Sequence, residues 1–241
     1  MRAFLLAAGH GTRLRPLTND IPKCLVKVAG KPMLQYWFDL FRRHGITEVL
    51  INLNHFPEQV HEYIEANVAD INVNLIYEDI LLGSLGTLIK NRSFVKDESE
   101  FLVFYSDNLT NVNITEMMNF HKSLDNPFTM GLFRANDPKS CGIAELNDNY
   151  TITNFEEKPS FPKSNLANAG VYIMKPELLE ELNANKNELQ DIGYELLPKL
   201  IGRMNGYEIE EFLLDMGTHA NLKLANEFVI NNPNLFSYVK Y

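Results

Sequence analysis

The sequence predicts an α/β fold built on a mixed central sheet with helices on both faces. Two patterns carry that expectation. Short apolar runs alternate with helix-period segments through the first half, as parallel strands joined by crossover helices do. The second half places short strands around a turn signal, as an antiparallel flap would. No Pro/Gly/Ser-rich linker, low-complexity run or repeat interrupts the 241 residues, so one domain over 1–241 is expected, with halves 1–125 and 126–241.

Along the chain, residues 2–7 read as a buried strand, and 48–53, 72–77 and 101–105 repeat the pattern. Between them, 32–44 and 57–66 have helical spacing with a proline in the first turn, where its missing N–H costs nothing. Residues 128–133, 142–146 and 150–155 read as antiparallel strands, the last two joined by Asn147-Asp148-Asn149. Residues 167–174 read as a strand, 188–202 and 217–228 as helices, and 207–214 as a strand between those helices. Ligands of such sheets bind beyond the carboxyl ends of the strands, so the loops following strands matter most.

Composition narrows the partners. A formal net charge of -9 argues against nucleic acid, while a local group of Arg, Lys and backbone N–H can still hold a phosphate. No apolar run approaches the ~20 residues of a membrane span, and the apolar N-terminal run is too short for a signal peptide, so no membrane partner is expected. Cys24 and Cys141 lack metal spacing, which fits a reducing, cytoplasmic compartment. His44, His55, His61, His121 and His219 share no ligand spacing and read as surface or edge residues; Trp37 reads as core.

The first strand runs into Ala7-Ala8-Gly9-His10-Gly11-Thr12-Arg13-Leu14-Arg15-Pro16-Leu17-Thr18. Glycines let the backbone take turn conformations and approach a phosphate closely, and the arginines add fixed charge. It is not the dinucleotide fingerprint, since Leu14 stands where the third glycine belongs, which disfavours an oxidoreductase. Nor does Gly-Lys-Ser/Thr follow, as a P-loop requires.

With Ile21-Pro22-Lys23, this segment resembles the nucleotide-binding signature of the sugar-1-phosphate nucleotidyltransferases. The resemblance implies a Rossmann-like mixed sheet, a sugar-binding antiparallel flap, and a loop of Ala7, Ala8, Gly9, Gly11 and Thr12 around a triphosphate, with Arg13 and Lys23 on its phosphates. Leu82-Gly83-Ser84-Leu85-Gly86-Thr87 is similar to the family's Leu-Gly-Thr-Ala-Gly-Ala loop, which implies Gly83 and Ser84 beside the base and favours guanylyl transfer; it departs at Ser84, Leu85 and Thr87. Asp107, ending an apolar strand, and Asp215, in Asp-Met-Gly-Thr, match the family's Mg²⁺ ligands. Glu157-Lys158-Pro159 resembles the motif whose Lys holds the sugar phosphate and whose Glu meets sugar hydroxyls; Asn168 and Gly142 match further sugar-binding positions.

The implied reaction is in-line attack of a sugar 1-phosphate oxygen on the α-phosphorus of a nucleoside triphosphate, releasing pyrophosphate. Arg13, Lys23 and Lys158 would do the catalytic work by positioning and charge, and no general base is needed because the attacking phosphate is already ionised. Thymidylyl, uridylyl or cytidylyl transfer stays open, as does homo-oligomerisation. A non-catalytic regulatory subunit is disfavoured by retention of Arg13, Lys23, Asp107, Lys158 and Asp215. The chain ends soon after the 217–228 helix, so a left-handed β-helix with a second activity is not expected.

Overall fold

The computed structural model describes residues 1–184 and 190–236. The protein is α/β, with a mixed sheet of parallel and antiparallel strands and helices around it. In chain order the strands are β1 (Arg2–Leu6), β2 (Lys27–Val28), β3 (Lys31–Pro32), β4 (Glu48–Leu53), β5 (Asn72–Tyr77), β6 (Phe101–Tyr105), β7 (Asn108–Thr110), β8 (Phe128–Arg134), β9 (Gly142–Leu146), β10 (Ile152–Glu157), β11 (Leu166–Met174), β12 (Met204–Glu208) and β13 (Leu213–Asp215). The α-helices are α1 (Met33–Arg43), α2 (Pro57–Asn67), α3 (Gly83–Lys90), α4 (Ile114–Lys122), α5 (Pro176–Ala184) and α6 (His219–Asn231). The chain divides into two compact units. One holds Met1–Leu81, Phe104–Val112 and the residues from Glu211 onward; the other holds Leu82–Val103 and Asn113–Glu210.

In the first unit β1 pairs in parallel with β4, and β4 with β5, in the registers Leu5↔Ile51 and Ile51↔Leu75. Ala3, Phe4 and Leu5 are fully buried, which is why β1 reads as an unbroken apolar run and not as an alternation. Helix α1 begins directly after Pro32 and buries Leu34, Trp37, Phe38 and Phe41. Trp37 packs at 4.9 Å, centroid to centroid, on Phe104, and its indole N–H donates to the Ser106 carbonyl at 3.1 Å. That bond satisfies the one polar atom a buried tryptophan brings. The short strands β7 and β13 pair antiparallel, Asp215 facing Asn108.

The second unit is built on β8, which pairs antiparallel with β11 and in parallel with β12. Strands β9 and β10 form the expected hairpin, and Ala167 of β11 faces Ile143 of β9. The register of β11 against β8 shifts between Asn168 and Tyr172, around Gly170 at φ 65°. A left-handed glycine inside a strand marks a bulge, and a bulge re-aims the side chains on either side.

Three expectations are corrected. Of the helix expected over 188–202, positions 188 and 189 lie outside the described residues; the rest is a π-turn, Ile192–Leu196, followed by a 3-10 turn, Leu197–Leu200. Gly193 and Pro198 deny that stretch a regular helix, although its leucines keep helical spacing. The strand expected over 207–214 is two separate strands, β12 and β13, divided at Glu210-Glu211 and assigned to different units. His121 is not a surface residue but lies buried on the inner side of α4.

The burial of His121 has a thermodynamic consequence. Its Nδ1 lies 2.7 Å from Thr129 Oγ1, while Nε2 has no hydrogen-bond partner among the described residues. Desolvation pushes its pKa down from 6.5 to about 4. Between those values the unfolded chain binds a proton that the folded chain refuses. Stability is therefore intact above the unfolded value and falls as the pH drops through this window, by about 1.4 kcal/mol per pH unit from this group. Urea midpoints measured from pH 4 to 7 should fall more steeply for the wild-type protein than for His121→Gln. Parallel slopes would remove His121 as the cause.

Candidate functional site

In the first unit the segment after β1 turns at Gly11, which adopts φ 62°, a conformation costly for any residue with a side chain. A Cβ there would also stand 3.0 Å from Thr18 Cγ2 and 3.1 Å from Lys23 Cβ. The turn is locked by the Thr18 hydroxyl, which donates to the Gly11 carbonyl at 2.8 Å, and by Leu14 N–H, which donates to the same oxygen at 2.9 Å. Ala7 N–H donates to Asn52 Oδ1 at 2.8 Å, and Asn52 Nδ2 to Glu78 Oε1 at 3.1 Å, so buried polar groups of β4 and of the residue after β5 anchor the start of the loop. Ala8 is buried, Gly9 is exposed, and Thr12 opens a 3-10 turn that presents Arg13 outward.

Four charged groups gather at this loop. The Lys23 ammonium contacts Asp107 Oδ2, and Arg13 Nη2 lies 3.8 Å from Asp215 Oδ2. The two carboxylates come together because β7 and β13 pair and Met216 N–H donates to the Asp107 carbonyl at 2.7 Å. Burial, and then the Asp107 charge, push the Asp215 carboxyl upward; Lys23, the Gly217 N–H and Arg13 pull it back. Gly217 matters twice. Its N–H donates to Asp215 Oδ1 at 2.7 Å, and a Cβ on it would stand 2.9 Å from Arg13 Cζ. Two adjoining carboxylates, the charge of Asp107 opposing the ionisation of Asp215, are an oxygen donor set for a hard divalent cation. Among the described residues no cluster of three or more His, Cys, Asp or Glu exists that could hold a metal, so such an ion would need further oxygens, as from a bound phosphate.

The second unit carries the remaining candidates. Gly83 opens α3 at φ 76°, and a Cβ there would meet the Gln190 carbonyl. The Ser84 hydroxyl donates to Asp191 Oδ2 at 3.4 Å and accepts from Ile192 N–H at 2.9 Å. Gly142 and Glu157 face each other across the β9–β10 hairpin. A Cβ on Gly142 would collide with the Glu157 carboxylate and stand 2.6 Å from Phe155 Cζ, so the glycine makes room for that acid. Burial raises the Glu157 carboxyl pKa, Lys158 lowers it and Asp191 raises it. Lys158 holds φ 50°, with its N–H donating to the Cys141 carbonyl at 3.0 Å. A non-glycine residue kept in that region costs of order 1–3 kcal/mol, a strain that tends to gather at functional positions. At the β11 bulge, Asn168 Oδ1 accepts from Gly170 N–H at 3.0 Å and Nδ2 donates to Tyr172 Oη at 2.8 Å, which fixes the amide.

Sequence reasoning missed Asn52, Asp191 and Gly193. An asparagine inside an otherwise apolar strand was the available signal for the first. For the others it was an Asp and a Gly interrupting a helical pattern.

The nucleotidyl transferase family model matches residues 2–232, and the chain belongs to that family. It is 30% identical over 222 residues to the mannose-1-phosphate guanylyltransferase catalytic subunit beta of Dictyostelium discoideum, covering 90% of this chain and 61% of that protein. It is also 30% identical to the UTP–glucose-1-phosphate uridylyltransferase of Synechocystis, over 83% of this chain and 55% of that protein. The chain thus spans less than two thirds of the length of these relatives. Its fold is that of a Bacillus anthracis protein solved in complex with sucrose, with a TM-score of 0.84 at 23% identity over 95% of this chain and 94% of that one. HddC from Yersinia pseudotuberculosis matches with a TM-score of 0.80 at 21% identity, over 94% and 98% of the two chains. No described helix is long and apolar enough to cross a membrane.

Proposed function

We propose that this protein joins a sugar 1-phosphate to a nucleoside triphosphate, with GTP as the nucleotide, and releases pyrophosphate. The observation that carries the reading is the meeting of Asp107 and Asp215 beside a glycine turn that also gathers Arg13 and Lys23. Arg13 and Lys23 hold the triphosphate and the charge of the departing pyrophosphate, with the backbone from Ala7 to Thr12 around it. Lys158 fixes the attacking phosphate, while Glu157 accepts bonds from sugar hydroxyls and Gly142 and Asn168 complete that subsite. Asp107 and Asp215 would hold Mg²⁺, which supplies charge neutralisation at the reacting phosphates when bound. Gly83 and Ser84 stand beside the base. The guanine preference is supported by the base-loop resemblance and by relatives named as mannose-1-phosphate guanylyltransferases.

The test is a panel of five nucleoside triphosphates against glucose, mannose and heptose 1-phosphates with Mg²⁺, scored by pyrophosphate release. GTP with at least one of these sugars is expected to turn over fastest. A different preferred triphosphate would overturn the guanine assignment alone. Nucleotide binding without turnover across the whole panel would replace the enzyme by a regulatory subunit of the same fold.

A further inference from the structure

The turn Ile192–Leu196 and the two residues before it have no part in the reaction as proposed, yet they are closely specified. The Glu195 carboxylate accepts from Gln190 N–H at 2.6 Å and Asp191 N–H at 2.7 Å. The Asp191 carboxylate accepts from Tyr194 N–H at 2.8 Å, and the Gln190 carbonyl accepts from Leu85 N–H at 2.8 Å. One side of the turn is thereby tied to the loop that opens α3. On its other side Gly193 lies against Glu157, where a Cβ would come 3.1 Å from Glu157 Oε2.

Tyr194 is what this turn presents. It stays 59% exposed, and the Lys158 ammonium stands 6.0 Å from its ring centroid. A single exposed aromatic residue needs no explanation by itself. Here its backbone is pinned, the residue before it is a glycine against Glu157, and its ring neighbours the strained Lys158. A pyranose offers two kinds of surface, hydroxyls around its rim and C–H bonds on its faces. A carboxylate and an ammonium can address the rim and the phosphate, but neither can bind a C–H face. An aromatic ring can, because its face is apolar and electron-rich.

We infer that Tyr194 is the aromatic wall of the sugar subsite, its ring stacking on the C–H face of a pyranosyl 1-phosphate held by Glu157 and Lys158. The inference rests on the assignment of the sugar 1-phosphate to those two residues. It makes the subsite selective for a ring carrying a phosphate over phosphate alone.

Calorimetric titrations of mannose 1-phosphate, glucose 1-phosphate and inorganic phosphate test it, in the presence of a non-transferable GTP analogue. Tyr194→Ala should weaken at least one hexose 1-phosphate by roughly three- to tenfold, with inorganic phosphate and the GTP analogue unchanged. Tyr194→Phe, which keeps the ring, should stay within about twofold of the wild-type protein. Tyr194→Ala binding both hexose phosphates as the wild type does, or losing inorganic phosphate in the same proportion, would overturn the stacking role. So would Tyr194→Phe being as weak as Tyr194→Ala. Lys158→Met separates the two levels. If it too leaves hexose 1-phosphate binding unchanged, or if the wild-type protein binds none, the sugar assignment itself fails and the role of Tyr194 falls with it.

Discussion

Asp107→Asn and Asp215→Asn should each lower turnover by roughly 10²-fold or more, the scale of losing a charged group that acts on the transition state. Asparagine keeps an oxygen and nearly the same shape but lacks the charge a hard cation favours. The two variants should differ in stability. Asp107 is the partner of the Lys23 ammonium, so its replacement removes an ion pair. Asp215 is a carboxylate whose ionisation is opposed by burial and by Asp107, so its replacement relieves repulsion. Melting temperature should accordingly fall slightly for Asp107→Asn and hold or rise for Asp215→Asn. With a non-transferable GTP analogue present, added Mg²⁺ should raise the melting temperature of the wild-type protein and of neither variant, since an ion that binds only the folded state stabilises it by mass action. Because the two acids act as one unit, the double variant should be only slightly worse in turnover than either single one. Fully multiplicative losses, or an undiminished Mg²⁺ response in Asp215→Asn, would reduce Asp215 to a structural turn residue.

The second large effect separates the phosphates of the two proposed substrates. Lys158→Met should weaken sugar 1-phosphate binding by roughly tenfold to a hundredfold, the worth of a charge-assisted hydrogen bond, and leave the GTP analogue nearly unaffected. Arg13→Ala should do the reverse. Methionine is a suitable replacement because it keeps the length and apolar stem of lysine, so the loss reports the charge and not the packing. Calorimetry of both ligands with both variants decides the matter. Equal losses of both ligands in both variants would show that neither residue belongs to one substrate alone.

How far the sequence could be read follows from the length of each signal. The glycine turn is legible because many fixed positions stand together between Leu6 and Lys23, and Gly11 owes its identity to a left-handed backbone. Strands β1 and β4 are legible because buried parallel strands leave largely apolar runs, and β5, at the end of the strand order, because Val73 and Leu75 alternate with exposed Asn72 and Asn74. The approach of Asp107 to Asp215 is legible only through the resemblance, which implies both as Mg²⁺ ligands. Periodicity does not show it, because β7 and β13 are three residues each and the second overlaps the strand expected over 207–214. The turn carrying Tyr194 was read as a helix because Ile192, Leu196, Leu197 and Leu200 are spaced as helix residues are. Buried apolar positions report burial, not backbone geometry, and there Asp191, Gly193 and Pro198 decide the conformation. Asn52 escaped notice for the opposite reason: one amide in an apolar strand hardly changes the pattern, yet it anchors the loop.

The threading of the chain gives the paired carboxylates a place in time as well as in space. Asp107 is synthesised well before its partner Asp215, which arrives only after the last residue of the second unit, Glu210. A ribosome that has released the chain up to Glu210 has delivered the glycine turn, Lys23, Asp107 and every residue assigned to the sugar, but not the strand that completes the acid pair. On the proposed reading, a growing chain therefore holds the residues for both substrates before it holds the second acid, and turnover waits until Asp215 has been made.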